Sequence, residues 1–185
     1  MNCPCKEPEQ EEAKRLYTQA DNVSVFNAAL VESEGYCKNT RLEEIMEFAR
    51  KCGYQKLGLA FCTGLSSEAE ILCSILKNNG FEVESVICKN GSIPKEHFNI
   101  QDSQKVRPGT YEPICNPIGQ AMMLNKAKTQ LNIMLGLCVG HDTLFIKYSK
   151  APITVFAVKD RVLAHNPLGA IYLAGSYYKK KLMKE

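Results

Sequence analysis

Two pairs of echoes hold the residues most suited to chemistry. Phe61-Cys62-Thr63-Gly64 and Leu137-Cys138-Val139-Gly140 each end an apolar run on Cys-x-Gly and pass directly into a helical pattern. Cys115-Asn116-Pro117-Ile118-Gly119 and His165-Asn166-Pro167-Leu168-Gly169 each place a metal-competent side chain just before an Asn-Pro helix start. A sulfur at a helix N-terminus lies in the positive end of the aligned peptide dipoles, which favours thiolate over thiol. Thiolate is the form that binds a soft metal or attacks an electrophile.

The elements that position these residues alternate. Three helical patterns come first, at 9–20, 23–34 and about 41–51, the last opened by Thr40 and Glu43 as a capping box. Apolar runs at 56–62, 81–87, 131–137 and 153–158 read as buried strands. Helical patterns at about 66–79, 117–129, 140–149 and 167–178 follow them, and 88–111 is a long loop without period. Strand–helix alternation means right-handed crossovers and a parallel sheet covered on both faces. The expected fold class is α/β, a three-layer Rossmann-like or flavodoxin-like domain of four to five strands with a helical N-terminal extension. The expected organisation is one domain over 1–185, with the extension at 1–53, the α/β core at 54–178 and a basic tail at 179–185.

Parallel strands deliver their last residues to one edge, where ligands bind. Cys62, Cys138 and Cys88 should share that edge, and the helix after Cys115 should begin there. His141 lies three residues beyond Cys138, on the first turn of its helix. Cys62, Cys115, Cys138 and His141 then make a three-sulfur, one-nitrogen set suited to tetrahedral zinc. Cys88 and His165 are the substitutes, and Cys88 as a fourth sulfur suits an iron–sulfur cluster. If 162–164 returns as a strand after a hairpin at Lys159-Asp160-Arg161, His165 points away. If the segment is a loop, His165 joins the site.

Gly136-Leu137-Cys138-Val139-Gly140 has a second reading as a nucleophile elbow with Cys in place of Ser. Cys138 would then be the nucleophile of a metal-free thiol hydrolase or transferase, with His165 as base and Asp142 or Asp160 orienting it. A third reading leaves the cysteines as packing in a structural or interaction module. Cys73 and Cys52 fit packing best, on a helix face and a helix end. Cys37, Cys3 and Cys5 stand as surface thiols or an incomplete second metal site.

Composition narrows the classes. Hydrophobic residues are 45% and charged residues 23% of the 185, which is globular usage. The formal charge of +3 resides in the tail, where Lys179, Lys180, Lys181 and Lys184 stand against Glu185, so the body is neutral and offers no basic face to nucleic acid. No apolar run reaches membrane-span length, and Met1-Asn2-Cys3-Pro4-Cys5-Lys6 lacks the apolar core of an export signal. Nine cysteines without an export signal imply a reducing, cytoplasmic setting, with a metal ion or a small molecule at the sheet edge as partner. No phosphate-binding loop or dinucleotide fingerprint is present.

At Leu59-Ala60-Phe61-Cys62, Cys115-Asn116-Pro117, 136–142 and 159–167 the chain resembles a family of uncharacterised prokaryotic proteins, over about residues 10–178. That family is described as cysteine-rich and metal-binding, with no known function. The resemblance implies metal binding and names no reaction. Members tend to carry Cys-x-x-Cys pairs at the N-terminus, where this chain has only Cys3-Pro4-Cys5.

Overall fold

The computed structural model describes residues 7–17 and 22–183. Cys3, Cys5, Lys184 and Glu185 lie outside the described residues. The chain divides into two compact units, Met1–Tyr54 and Gln55–Glu185.

The first unit is helical: α1 (Pro8–Tyr17), α2 (Asn22–Gly35) and α3 (Arg41–Lys51). Thr40 and Glu43 form the capping box that their spacing predicts, with Glu43 Oε2 accepting from Thr40 N–H and Oγ1, both at 2.7 Å. Helices α2 and α3 pack on each other, burying Val31, Ile45, Met46 and Ala49. Asn27 Nδ2 donates to Lys51 O at 2.9 Å and reaches Cys52 Sγ at 3.4 Å, so Cys52 is held as a structural thiol.

The second unit is an α/β fold. Its described residues form a four-stranded parallel sheet of β1 (Lys56–Phe61), β2 (Glu82–Ile87), β3 (Leu131–Leu135) and β4 (Ile153–Ala157), in spatial order β2-β1-β3-β4. This is the flavodoxin-like order without a fifth strand, and it reverses between β1 and β3. Helix α4 (Ser66–Asn78) packs on β1 and β2, while α5 (Pro117–Ala127) packs on the same strands and on α6 (His141–Tyr148). Right-handed crossovers put α4 on one face and the α5–α6 pair on the other. On the α5–α6 side Ala60, Val86, Met134, Ala121, Leu124 and Phe145 form one buried cluster that also contains Cys62 and Cys88.

Gly136 explains why β3 stops at Leu135, earlier than the apolar run suggests. Its φ is +65°, and a Cβ there would meet Leu65 Cδ1 at 2.2 Å. Only glycine turns the chain so close to its neighbour.

Of two further segments, the first is the long loop expected and the second differs from expectation. Residues 88–111 lack a long helix but are well tied: Lys105 Nζ, in a side chain only 4% exposed, bonds Asp102 at 3.0 Å and Thr110 O at 2.9 Å and pairs with Glu96. The helical pattern at 167–178 keeps only α7 (Leu168–Tyr172) and runs on as turns over Ala174-Gly175-Ser176, while a short α8 (Lys179–Leu182) forms in the stretch expected as a basic tail. Glycine and serine there cost helix propensity that no buried face offsets. Among the described residues no helix is long and apolar enough to cross a membrane.

Candidate functional site

At the reversal of strand order, β1 runs out into Cys62 and β2 into Cys88, and the long loop brings Cys115 back beside them. Two asparagines hold that return. Asn90 Nδ2 donates to Ile87 O at 2.9 Å and Asn116 O at 3.0 Å, and Asn116 Nδ2 donates to Asn90 Oδ1 at 3.1 Å. Asn116 also caps α5 through Gly119 N–H at 2.9 Å, while its own N–H bonds Cys88 O at 2.7 Å. A Cβ at position 119 would stand 2.3 Å from Asn90 Oδ1, so glycine is what lets this clasp close. From α5, the fully buried Gln120 donates to Phe61 O at 3.2 Å and Val86 O at 2.7 Å, joining the ends of β1 and β2.

The clasp sets Cys115 Sγ and Cys88 Sγ 3.8 Å apart. Cys88 also contacts Cys62, and Cys115 contacts His141 on the first turn of α6. Cys62, Cys88, Cys115 and His141 thus form one hydrogen-bonded chain drawn from four separate segments. Backbone N–H groups at the turn after β1 feed it: Thr63 N–H donates to Cys88 Sγ at 3.2 Å and Gly64 N–H to Cys62.

The chain polarises its members. Hydrogen bonding from Cys88, aided by Gly64 N–H and Lys159, lowers the Cys62 thiol to about 5. Hydrogen bonding from Cys88 and then from His141, with the nearby charge of Lys89, lowers Cys115 to about 4. Cys88 is pushed up, first because its proton is wanted by Cys115 and Cys62 and then by burial. Cys88 thus stands between Cys62 and Cys115 and is in contact with both. His141 is raised in turn, chiefly by its bond to Cys115.

Cys138 occupies a different setting. Its Sγ accepts from Arg161 Nη2 at 3.1 Å, and its carbonyl receives the N–H groups of His141 and Asp142 at 2.9 and 3.0 Å. Positive φ falls on the flanking Gly136 and Gly140 rather than on Cys138, whereas a nucleophile elbow strains the turn at the nucleophile itself. Residues 162–164 are a turn, not a returning strand, yet His165 does not swing inward. Its Nδ1 accepts from Asp160 N–H at 3.1 Å and lies 3.1 Å from Val158 O, so the ring is turned into its own loop. Asp160 spends its carboxylate on the N–H groups of Val162 and Leu163, and Asp142 on Thr143 N–H.

The structure therefore groups Cys62, Cys115 and His141 around Cys88. It sets Cys138 beside Arg161 and leaves His165 aside. Lys89, Lys159 and Arg161 are the site's cations, and sequence reasoning missed all three. Their only signal was position, just past the ends of β2 and β4. Gln120 and Asn90 were missed as well, because nothing in their local sequence shows which strand ends they join. Cys73 lies on the opposite face, lining a cavity of about 430 Å³ with Phe61, Lys77 and Ser85, and burial pushes its thiol up.

Among the described residues, no three His, Cys, Asp or Glu side chains are already closed around a common metal position. The Cys88–Cys115 separation nonetheless matches a metal edge: tetrahedral zinc with bonds of about 2.3 Å sets its sulfurs about 3.8 Å apart.

A family model described as "Protein of unknown function (DUF1847)" matches residues 3–156. The chain belongs to that family. An uncharacterised protein of Methanocaldococcus jannaschii, MJ0455, is 49% identical over 181 residues, covering 97% of this chain and 91% of that one. No solved structure matches the chain. The DUF1847 match spans Cys62, Cys88, Cys115, Cys138 and His141 and stops before Arg161 and His165.

Proposed function

We propose that this DUF1847 protein binds a zinc ion through Cys62, Cys88, Cys115 and His141 at the carboxyl edge of its sheet. The observation that carries this reading is the three-sulfur, one-imidazole chain with Cys88 and Cys115 Sγ 3.8 Å apart. Three sulfurs this close, two of them shifted toward thiolate, suit a divalent cation, which displaces any remaining thiol proton and binds all three. An iron–sulfur cluster fits less well, because its fourth sulfur would have to come from Cys138, which is engaged by Arg161. Reduced thiols packed this closely also suit a reducing compartment, so we place the protein in the cytoplasm.

With zinc bound, three thiolates leave the centre with one negative charge, faced by Lys89, Lys159 and Arg161. That surplus of positive charge suits a small anionic molecule at the same edge. The zinc would supply Lewis-acid polarisation if one ligand yields its place. The test is metal content after purification without chelator. One zinc per chain, lost in Cys115→Ser and kept in Cys73→Ser, supports the reading. Metal-free protein that takes up no added zinc ends it.

A metal-free cysteine enzyme is the second reading. It now rests on the Cys115–His141 contact, a thiolate beside an imidazole, rather than on Cys138 with His165. Rapid alkylation of Cys115 in protein that neither carries nor binds zinc would favour it.

A further inference from the structure

Thiols placed as Cys88 and Cys115 are can do something besides ligate. Their sulfurs need only close from 3.8 Å to the ~2.05 Å of a disulfide, on backbones already tied by Asn116 N–H to Cys88 O at 2.7 Å. Exposure is unequal: Cys88 is 2% exposed, while Cys115 is only half-buried. Solvent-borne reagents therefore meet Cys115 first and find Cys88 directly behind it. Cys62 is buried, and its contact is with Cys88 rather than Cys115.

We propose that Cys88 and Cys115 are a dithiol–disulfide couple that a hydroperoxide oxidises through Cys115, with Cys88 as the resolving thiol. The Cys115 thiolate attacks one oxygen of R–O–O–H. The O–O bond breaks, R–O⁻ leaves and takes a proton, and Cys115 becomes a sulfenic acid. The Cys88 sulfur then attacks the Cys115 sulfur. The S–O bond breaks, hydroxide leaves with the Cys88 proton as water, and the S–S bond forms. Two thiols are oxidised while the hydroperoxide is reduced to alcohol and water. The couple stands on the thiol geometry alone. If zinc also binds as proposed, the same bond removes two of its four ligands, and oxidation releases the metal.

The test treats the full-length reduced protein, with and without prior chelation, with limiting hydrogen peroxide and maps its disulfides by peptide mass. In chelated protein the first equivalent should produce mainly a Cys88–Cys115 link, with loss of two titratable thiols. Cys88→Ser should stop at a Cys115 sulfenic acid captured by a 1,3-dione probe, and the wild-type map stands if that variant folds poorly. Linkage of Cys62 to Cys88, or oxidation of exposed Cys37 in preference to Cys115, would overturn the proposal. Zinc-loaded protein separates the two readings. A link that forms equally fast with added zinc leaves the couple standing and removes the metal reading. Bound zinc with no link after chelation does the reverse.

Discussion

Cys62-Thr63-Gly64 and Cys138-Val139-Gly140 are one sequence motif used twice beyond adjacent strands, with different backbones, since φ is positive at Gly136 and Gly140 but not at Gly64, and they meet different surroundings. After β1 the sulfur is buried, takes the Gly64 N–H and touches Cys88. After β3 the sulfur faces Arg161, and its neighbour Val139 is 91% exposed. The difference comes from what stands opposite. β1 lies beside β2, whose end supplies Cys88, and the clasped loop adds Cys115. β3 lies beside β4, beyond whose end Arg161 rather than a sulfur meets Cys138, while Lys159 from the same strand end reaches Cys62. A repeated motif does not by itself fix the local turn, and the strand neighbour decides the chemistry.

The largest expected effect is on metal. Cys88→Ser and Cys115→Ser should each lower zinc affinity on the order of a hundredfold or more, since loss of an outer-shell partner alone costs 10–100-fold. Competition with a chelating dye measures it. Retention of zinc in either variant would erase the distinction between the two turns.

Acid should act next. In metal-free protein Cys62 and Cys115 ionise at about 5 and about 4 when folded, against about 8.5 for a free thiol. Between those values the native state holds fewer protons than the unfolded chain, so stability rises with pH and is lost as pH falls toward 5 and 4. Cys88 is shifted upward, so it works the other way, weakening the fold as pH rises above about 8.5. Thermal unfolding of the metal-free protein should therefore peak in Tm near that pH. Cys88→Ala, which removes the shared donor, should flatten both slopes. An unchanged profile would mean that the thiols do not form the chain described.

How much of this was legible in sequence follows from the range of each interaction. Thr40 with Glu43, Asn116 with Pro117 and the alternating apolar runs are local, and they appear in the structure as read. The shared edge was legible too, because parallel strands all end on one side. Which sulfurs meet was not, since it depends on the order β2-β1-β3-β4 and on the Asn90–Asn116 clasp across a long loop. Cys88 was therefore ranked below Cys138 in sequence, although it is the residue that touches both Cys62 and Cys115. His165 echoed Cys115 in its Asn-Pro context and still turned to its own loop, where its Nδ1 takes the Asp160 N–H.

Gly136→Ala tests the turn itself. An alanine at φ +65° meeting Leu65 at 2.2 Å should cost about 2 kcal/mol, read from denaturant unfolding. Gly140→Ala, at φ +84° in open space, carries only the backbone part of that strain and should cost less. Equal costs would show that the close approach of β3 to the turn after β1 contributes nothing.

Cys138→Ser should have the smallest effect, and it bears most directly on the comparison. The substitution leaves a hydroxyl that still accepts from Arg161, at a half-buried position where a polar atom needs no buried partner. Stability should stay within about 0.5 kcal/mol, as for ordinary surface changes. Zinc content should match the parent, because the contacts that link Cys62, Cys88, Cys115 and His141 do not run through Cys138 Sγ, which Arg161 holds. The sequence reading, with Cys138 as a ligand and Cys88 as a substitute, predicts the opposite. Loss of zinc in Cys138→Ser with retention in Cys88→Ser would therefore move the metal to the β3 turn and leave the three-thiol chain to redox chemistry alone.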